Sequence, residues 1–271
     1  MDNEKIRYLR PKEIEGLEIQ EVINSNHSFP NHTHGVHSIG LMEAGGCYCR
    51  KPGSGSSFVR GGELALFNPG LVHSGVIKDS GTRISYRVFS FDNLLLGKAL
   101  RDLAEKDGLP EFRSVVIRDT MVTASLTRLS LAAAGGNGRL ALDTALARAA
   151  AVLLTRQCET TSRVPGTKEP VAVKRARDYL HENLSEKVSL EELSKVAGLS
   201  RYHLLRVFRE TTGLPPHNYH LQVRIENAKR LLRHGTAFAD TALLCGFSDQ
   251  SHFGNTFRKY TGATPSQYTK I

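Results

Sequence analysis

Two short stretches in the last third of the chain hold side chains suited to reading the edges of DNA bases. Between residues 201 and 209, Tyr202, Leu205, Arg206 and Arg209 recur at spacings of a helical stripe, provided Leu204, Val207 and Phe208 are buried on the other side. Between residues 250 and 258, Gln250, Ser251, Gly254, Asn255 and Arg258 form the matching stripe, opposite Phe253 and Phe257. An arginine can fork onto guanine O6 and N7, and Gln or Asn can pair with adenine N6 and N7. Basic residues at the helix margins hold phosphates. A separate group lies near the N-terminus. His32 and His34 are two apart, hence on one face of a strand, and Cys47 and Cys49 share a face in the same way. The C-x-C spacing lacks the C-x-x-C pairing of structural zinc sites and predicts two small buried thiols in place of a redox or metal sensor. The sequence contains no Walker A loop, dinucleotide-binding glycine fingerprint or nucleophile elbow.

The elements that must carry the two stripes are copies of one another. GLSRYHLLRVFRETTGLPPHNY at 198–219 aligns with GFSDQSHFGNTFRKYTGATPSQY at 246–268, with one extra residue after the second GFS. Such duplication means two copies of one supersecondary unit, and each copy has helix-turn-helix grammar. In the first, Ser189 and Glu192 form a capping box, Leu190, Leu193 and Ala197 give a buried stripe, Gly198 takes the turn and Ser200 caps the next helix. In the second, Thr236 is the expected cap, Phe238, Ala242 and Leu243 the helix core, Gly246 the turn and Ser248 the next cap. Leu221, Ile225, Ala228 and Leu232 predict an amphipathic helix from about Pro216 to Arg233 between the units. About 17 residues span about 26 Å, so with side offsets the two stripes fall near one DNA turn, about 34 Å, apart.

The N-terminal part has a different texture. Short apolar runs alternate with glycine punctuation through the first hundred residues, as in Ile39–Met42 before Gly45-Gly46 and Leu64–Phe67 before Asn68-Pro69-Gly70, which predicts a β-sandwich or small barrel. Ile84, Tyr86 and Val88 alternate with Arg83, Ser85 and Arg87, as on a strand with an inner and an outer face. Val122, Leu126 and Leu129, then Leu142, Leu146, Ala149 and Leu153, read as a helical hairpin that either covers the barrel or forms a dimer seam. The expected division is an N-terminal domain over 1–158, with the barrel at about 10–95 and the hairpin at about 120–157. A Pro-, Gly- and Thr-containing linker at 159–170 and an all-helical domain at 171–271 follow.

Composition fits this plan. The 271 residues hold 36 Lys and Arg against 27 Asp and Glu, a net charge of +9, and 40% are hydrophobic, enough for real cores. Residues 168–271 hold 16 of the basic residues and 10 of the acidic ones, a net +6. No run reaches the roughly 18 apolar residues of a membrane span, the first residues are polar, and four cysteines in so long a chain give no disulfide framework. A cytoplasmic protein with a polyanionic partner and no membrane association is expected.

Cys245-Gly-Phe-Ser-Asp-Gln-Ser-His-Phe253, Pro265-Ser-Gln-Tyr268 and Val223-Arg-Ile-Glu-Asn-Ala-Lys-Arg-Leu-Leu232 together resemble the DNA-binding domain of AraC/XylS-type bacterial transcription regulators, over about 100 residues. That resemblance puts base-reading positions on Tyr202, Leu205 and Arg206 and on Gln250, Ser251, His252 and Asn255, with His252 added by the resemblance alone. Leu205 stands where many relatives carry a polar reader. His32-Thr-His34 followed by Pro69-Gly-Leu-Val-His73 resembles, more weakly, the two motifs of a cupin barrel. In metal-binding cupins a Glu joins such histidines. Here Ser38 and Ile39 occupy its place and Glu43 lies further on, so the expectation is a barrel without metal or other cofactor. Motif position and strand alternation put His32, His34, Tyr48, His73 and Tyr86 inward as contacts for a small-molecule effector; His37 has the opposite parity to His34 and is left out.

The expected fold is therefore α+β and multidomain, a cupin-like barrel with a helical hairpin followed by two helix-turn-helix units. The expected function is effector-modulated transcription regulation, without enzymatic activity, through double-stranded DNA, RNA polymerase contact and a homodimer. The alternative is a metal-dependent cupin enzyme, a dioxygenase or isomerase, fused to a nucleic-acid-binding domain.

Overall fold

The computed structural model describes residues 4–52, 55–79, 81–104, 108–135, 138–161 and 170–270. The chain forms two compact units, built chiefly from residues 4–161 and from residues 170–269.

The sheet-forming part of the chain begins with β1 (Lys5–Leu9), β2 (Leu17–Ser25), β3 (Phe29–His32), β4 (His37–Ala44), β5 (Gly46–Arg50), β6 (Ser56–Arg60), β7 (Leu64–Phe67), β8 (His73–Val76) and β9 (Ile84–Phe91). After α1 (Asn93–Ala104) come β10 (Leu109–Phe112), β11 (Val116–Ile117), α2 (Thr120–Ala134), α3 (Arg139–Gln157) and β12 (Cys158–Thr161). A six-stranded sheet runs β1-β2-β9-β4-β7-β11, a four-stranded sheet β3-β8-β5-β6, and β10 pairs with β12 as a ribbon. The chain passes from β4 in one sheet to β5 in the other at Gly45, whose φ of +74° suits glycine, and a Cβ there would fall 2.6 Å from the Arg83 carbonyl.

The alternation read along β9 does not persist. Ile84 and Tyr86 are buried on one face, but Phe89 and Phe91, of opposite parity, are buried too, and Val88 is only half-buried. The hairpin is the cause. Leu17, Ile19, Ile39, Leu41, Leu64, Leu66, Phe89 and Phe91 share one core with Val122, Leu126, Leu129, Leu142, Ala149 and Leu153, so the second face of the six-stranded sheet is covered by α2 and α3. Each large side chain buried this way contributes about 1.5–3 kcal/mol relative to exposure. Asp119 secures the open end of the hairpin: it caps α2 by accepting from Met121 and Val122 N–H, and it accepts from Arg156 and Gln157 at the end of α3.

Glu159 to Thr161, read as the start of a linker, belong to β12, with Thr161 opposite Leu109 and Cys158 opposite Phe112. This pairing is supplied by β10 and has no periodic signature of its own. The remainder of the expected linker, residues 162–169, lies outside the described residues.

The second unit is helical: α4 (Val171–Glu182), α5 (Leu190–Ala197), α6 (Arg201–Thr212), α7 (Pro216–Arg233), α8 (Phe238–Leu244), α9 (Gln250–Thr261) and α10 (Pro265–Thr269). The capping box of Ser189 and Glu192 is formed, Gly198 is left-handed, and Ser200 caps α6 by accepting from His203 N–H. Leu193, Ala197, Leu204 and Phe208 pack with Val173, Ala176 and Leu180 of α4, while Leu190 and Val207 border that core.

The second copy corrects three expectations. Ala237, without a side-chain cap bond, precedes α8 where Thr236 was expected to cap. Asp249, not Ser248, caps α9 by accepting from His252 N–H. The extra residue after the second GFS explains that shift, because it occupies the capping position one place later. Leu243 is 73% exposed; α8 buries Thr241 and Ala242, and Leu243 falls on the neighbouring face of this short helix. The ring contacts of Phe253 with Phe238, Phe247 and Phe257, and of Phe257 with Tyr268, hold α9 in place.

Candidate functional site

In α6, Leu204 and Phe208 are fully buried, and this leaves Tyr202 at 82% exposure, Leu205 at 39%, and Arg206 and Arg209 exposed. In α9, Phe253 and Phe257 anchor the helix while Gln250, Ser251, His252, Asn255 and Arg258 are exposed. Gly254 is half-buried, and a Cβ there would meet the Phe238 ring at 3.9 Å, an ordinary van der Waals contact. His252 is held from behind: its Nδ1 lies 3.3 Å from Ser248 Oγ and its ring meets Phe247 edge-on. The Asp249 carboxyl is kept below the usual carboxylate range, first by the His252 backbone N–H and then by Ser248 Oγ. An anion thus already sits at the N-terminus of α9 and offsets the positive end of its helix dipole.

The structure divides the expected effector contacts. Ring nitrogens of His32, His34 and His73 lie within 4.8 Å of one another. His32 Nδ1 donates to Pro30 O at 2.8 Å and His73 Nδ1 donates to Leu71 O at 3.0 Å, which places the lone pair of each ring on Nε2. Phe67 stacks on His73 at 3.6 Å. Three imidazoles make an adequate donor set for a transition metal, but the carboxylate of a cupin metal centre is not among them. Ser38 is buried in its place, and Glu43 pairs with Arg87 at 3.0 Å, a guanidinium that also meets Glu21 at 3.3 Å. Of the two tyrosines, Tyr86 is buried and Tyr48 half-buried. Burial pushes the Tyr86 phenol well above its ordinary pKa, and Glu4 and Cys47 push it the same way. Tyr48, on the strand face opposite Cys47 and Cys49, packs its ring against Phe58 at 5.0 Å. Burial drives the Cys47 and Cys49 thiols up to about 11, so both are protonated at neutral pH.

His37, set aside on parity, has a structural place of its own. It is fully buried, donates from Nε2 to Pro110 O at 2.7 Å and meets Phe112 edge-on, which ties β4 to β10. Burial lowers its pKa, against hydrogen bonds to Pro110 and Asn93. The stretch Leu-Pro-Glu-Phe of β10 has no alternation that would have shown this partner in the sequence.

Residues 16–150 match the AraC-like ligand binding domain and residues 193–271 match a helix-turn-helix domain. Over 228 residues the chain is 34% identical to an uncharacterized HTH-type transcriptional regulator, YbfI of Bacillus subtilis strain 168, covering 83% of this chain and 81% of that one. The chain belongs to the AraC family of transcription regulators. This regulator is also 37% identical over 92 residues to the probable transcriptional regulator LumQ of Photobacterium leiognathi, 34% of this chain and 37% of LumQ. Its fold is that of a single-substitution variant of apo ToxT from Vibrio cholerae strain SCE256, with a TM-score of 0.59 at 13% identity over 98% of this chain and 96% of the other. Wild-type ToxT from the same strain, solved with an unsaturated fatty acid bound, gives a TM-score of 0.55 at 13% identity over 99% and 97%. This regulator therefore combines a sheet-rich ligand-binding domain with a DNA-binding domain of two helix-turn-helix units. Among the described residues no helix is long and apolar enough to cross a membrane.

Proposed function

We propose that this regulator reads two successive major grooves with α6 and α9 and that a small molecule bound in the barrel biases the outcome at a promoter. The observation that carries the reading is the pairing, in both copies of one duplicated unit, of a buried aromatic anchor with an exposed stripe of polar and basic side chains whose chemistry suits base edges. Tyr202, Leu205, Arg206 and Arg209 read the first groove, Leu205 through apolar contact with a thymine methyl. Gln250, Ser251, His252, Asn255 and Arg258 read the second. The effector contacts are His32, His34, His73 and Tyr86, with Tyr48 as the fifth. An effector must favour one arrangement of the protein over another, since equal affinity would shift nothing.

The protein works in the cytoplasm, without enzymatic activity, and contacts RNA polymerase when bound at its promoter. It self-associates through the helical hairpin, where Leu131 and Leu140 are 61% and 80% exposed. Genomic fragments retained by the full-length protein, mapped by footprinting, test the DNA reading: a protected segment of two adjacent half-sites is expected, and retention without any preferred site would overturn it. Thermal melting with candidate small molecules, an unsaturated fatty acid first, tests the effector reading.

One observation favours a second reading, a metal-dependent cupin enzyme: the gathering of His32, His34 and His73. About one transition-metal ion per purified chain together with turnover would establish it; a metal-free protein that still answers an effector would remove it.

A further inference from the structure

Near the middle of α7 an arginine is buried where the two helix-turn-helix units meet. Arg224 is 9% exposed. Its Nη1 donates to Gly246 O at 2.8 Å and its Nη2 donates to Glu186 O at 2.8 Å. Gly246 lies in the turn between α8 and α9, and Glu186 lies in the loop between α4 and α5. A single guanidinium therefore holds one backbone carbonyl in the turn of the second unit and one in the loop that enters the first. The same segments also touch directly. Gly246 has a φ of +71°, and a Cβ there would fall 2.5 Å from Ser185 O and 2.7 Å from Ser185 Cα. The Phe247 ring faces the guanidinium at 6.0 Å.

An arginine is a costly way to fill this space. Burying a charge carries a desolvation penalty, which an apolar residue of similar length avoids. Its Nε is buried without a hydrogen-bond partner, so the penalty is not fully offset. What the arginine adds is direction: its donors lie in a rigid plane, whereas an ammonium is a point charge and an apolar side chain permits sliding. Hydrogen bonds to two carbonyls restrict the distance and the angle between the segments together.

We propose that Arg224 is a positioning residue for DNA recognition. By fixing the turn before α9 to the loop before α5, it sets the separation and relative angle of α6 and α9 and so permits one spacing between the two half-sites. Inserting one base pair moves a half-site by about 3.4 Å along the duplex and about 35° around it, far beyond the play of a forked hydrogen bond. This rests on the reading that both helices contact bases. The two fail differently: recovery of no half-site, or of only one, removes that reading, whereas two half-sites at variable spacing remove the role of Arg224.

The test takes half-sites selected by the full-length protein and places them in duplexes with one or two base pairs inserted or deleted between them. Binding is measured for wild type, Arg224→Met and Arg224→Lys, with helical content and melting recorded for each. Wild type is expected to lose about 30-fold or more at every altered spacing, falling to the affinity of one half-site. Arg224→Met is expected to bind the native spacing more weakly and the altered spacings within about 3-fold of it, and Arg224→Lys, able to reach one carbonyl at a time, to fall between. A flat wild-type series overturns the proposal, as does a folded Arg224→Met with wild-type discrimination. Should Arg224→Met fail to fold, a folded Arg224→Lys with undiminished discrimination overturns it instead. If neither variant folds, the role assigned to Arg224 fails in favour of a purely stabilising one.

Discussion

Arg206 projects from α6 with no role in holding that helix, because Leu204 and Phe208 anchor it from the other side. Arg206→Ala is accordingly expected to leave melting unchanged while weakening specific DNA binding by about 1–3 kcal/mol and relaxing discrimination at one base pair. Titration against matched and singly mutated operators checks this, and unchanged affinity and selectivity would take Arg206 off the list of readers. The cysteines point the other way. Burial raises the Cys158 thiol to about 12 and those of Cys47 and Cys49 to about 11, so alkylation of the native protein at neutral pH is expected to be slow and to become rapid only on denaturation. Mass-spectrometric mapping of a timed iodoacetamide reaction reads this directly. The exposed stripes were legible in the sequence because a helix buried on one side leaves a periodic stripe on the other. His37 was not, because its partner is a backbone carbonyl on β10, 73 residues away.

Legibility at the element scale follows how local each interaction is. The first helix-turn-helix unit could be read almost residue by residue, since Ser189, Glu192, Gly198 and Ser200 act within three residues of themselves. The second misled at its caps, where one inserted residue moved the role of Ser248 to Asp249. In β9 the alternation failed because its second face meets α2 and α3, a contact that the strand's own sequence cannot display. The linking helix α7 carries a pH dependence. Burial, followed by Arg224, lowers His220 to about 4; His217 and His181 act in the same direction, and a backbone hydrogen bond at Asn183 opposes them. Above pH 6.5 the ring is neutral in both folded and unfolded chains and contributes no pH dependence. Between 6.5 and about 4 the unfolded chain takes up a proton that the folded one does not, so stability is lost as pH falls through that window. Melting of the full-length protein followed from pH 8 to pH 4.5 should show this decline, and His220→Gln should make it shallower; identical slopes would assign the decline to other groups.

At the scale of the whole molecule, the net charge of +9 is concentrated where the recognition helices are, with +6 in residues 168–271. Such a surplus attaches the protein to any phosphate backbone and makes binding fall with salt, without selecting a sequence. On the proposed reading, selection rests on side chains such as Tyr202, Gln250, Ser251 and Asn255, which add nothing to the charge. By the same proposed reading, two distinct surfaces each recognise part of one operator. Selection from random DNA by the full-length protein, repeated with Arg206→Ala and with Asn255→Ala, separates the two surfaces. A two-part motif is expected, in which Arg206→Ala degrades one part only and Asn255→Ala the other only. Enrichment of no motif, or of a single motif degraded alike by both substitutions, would contradict it.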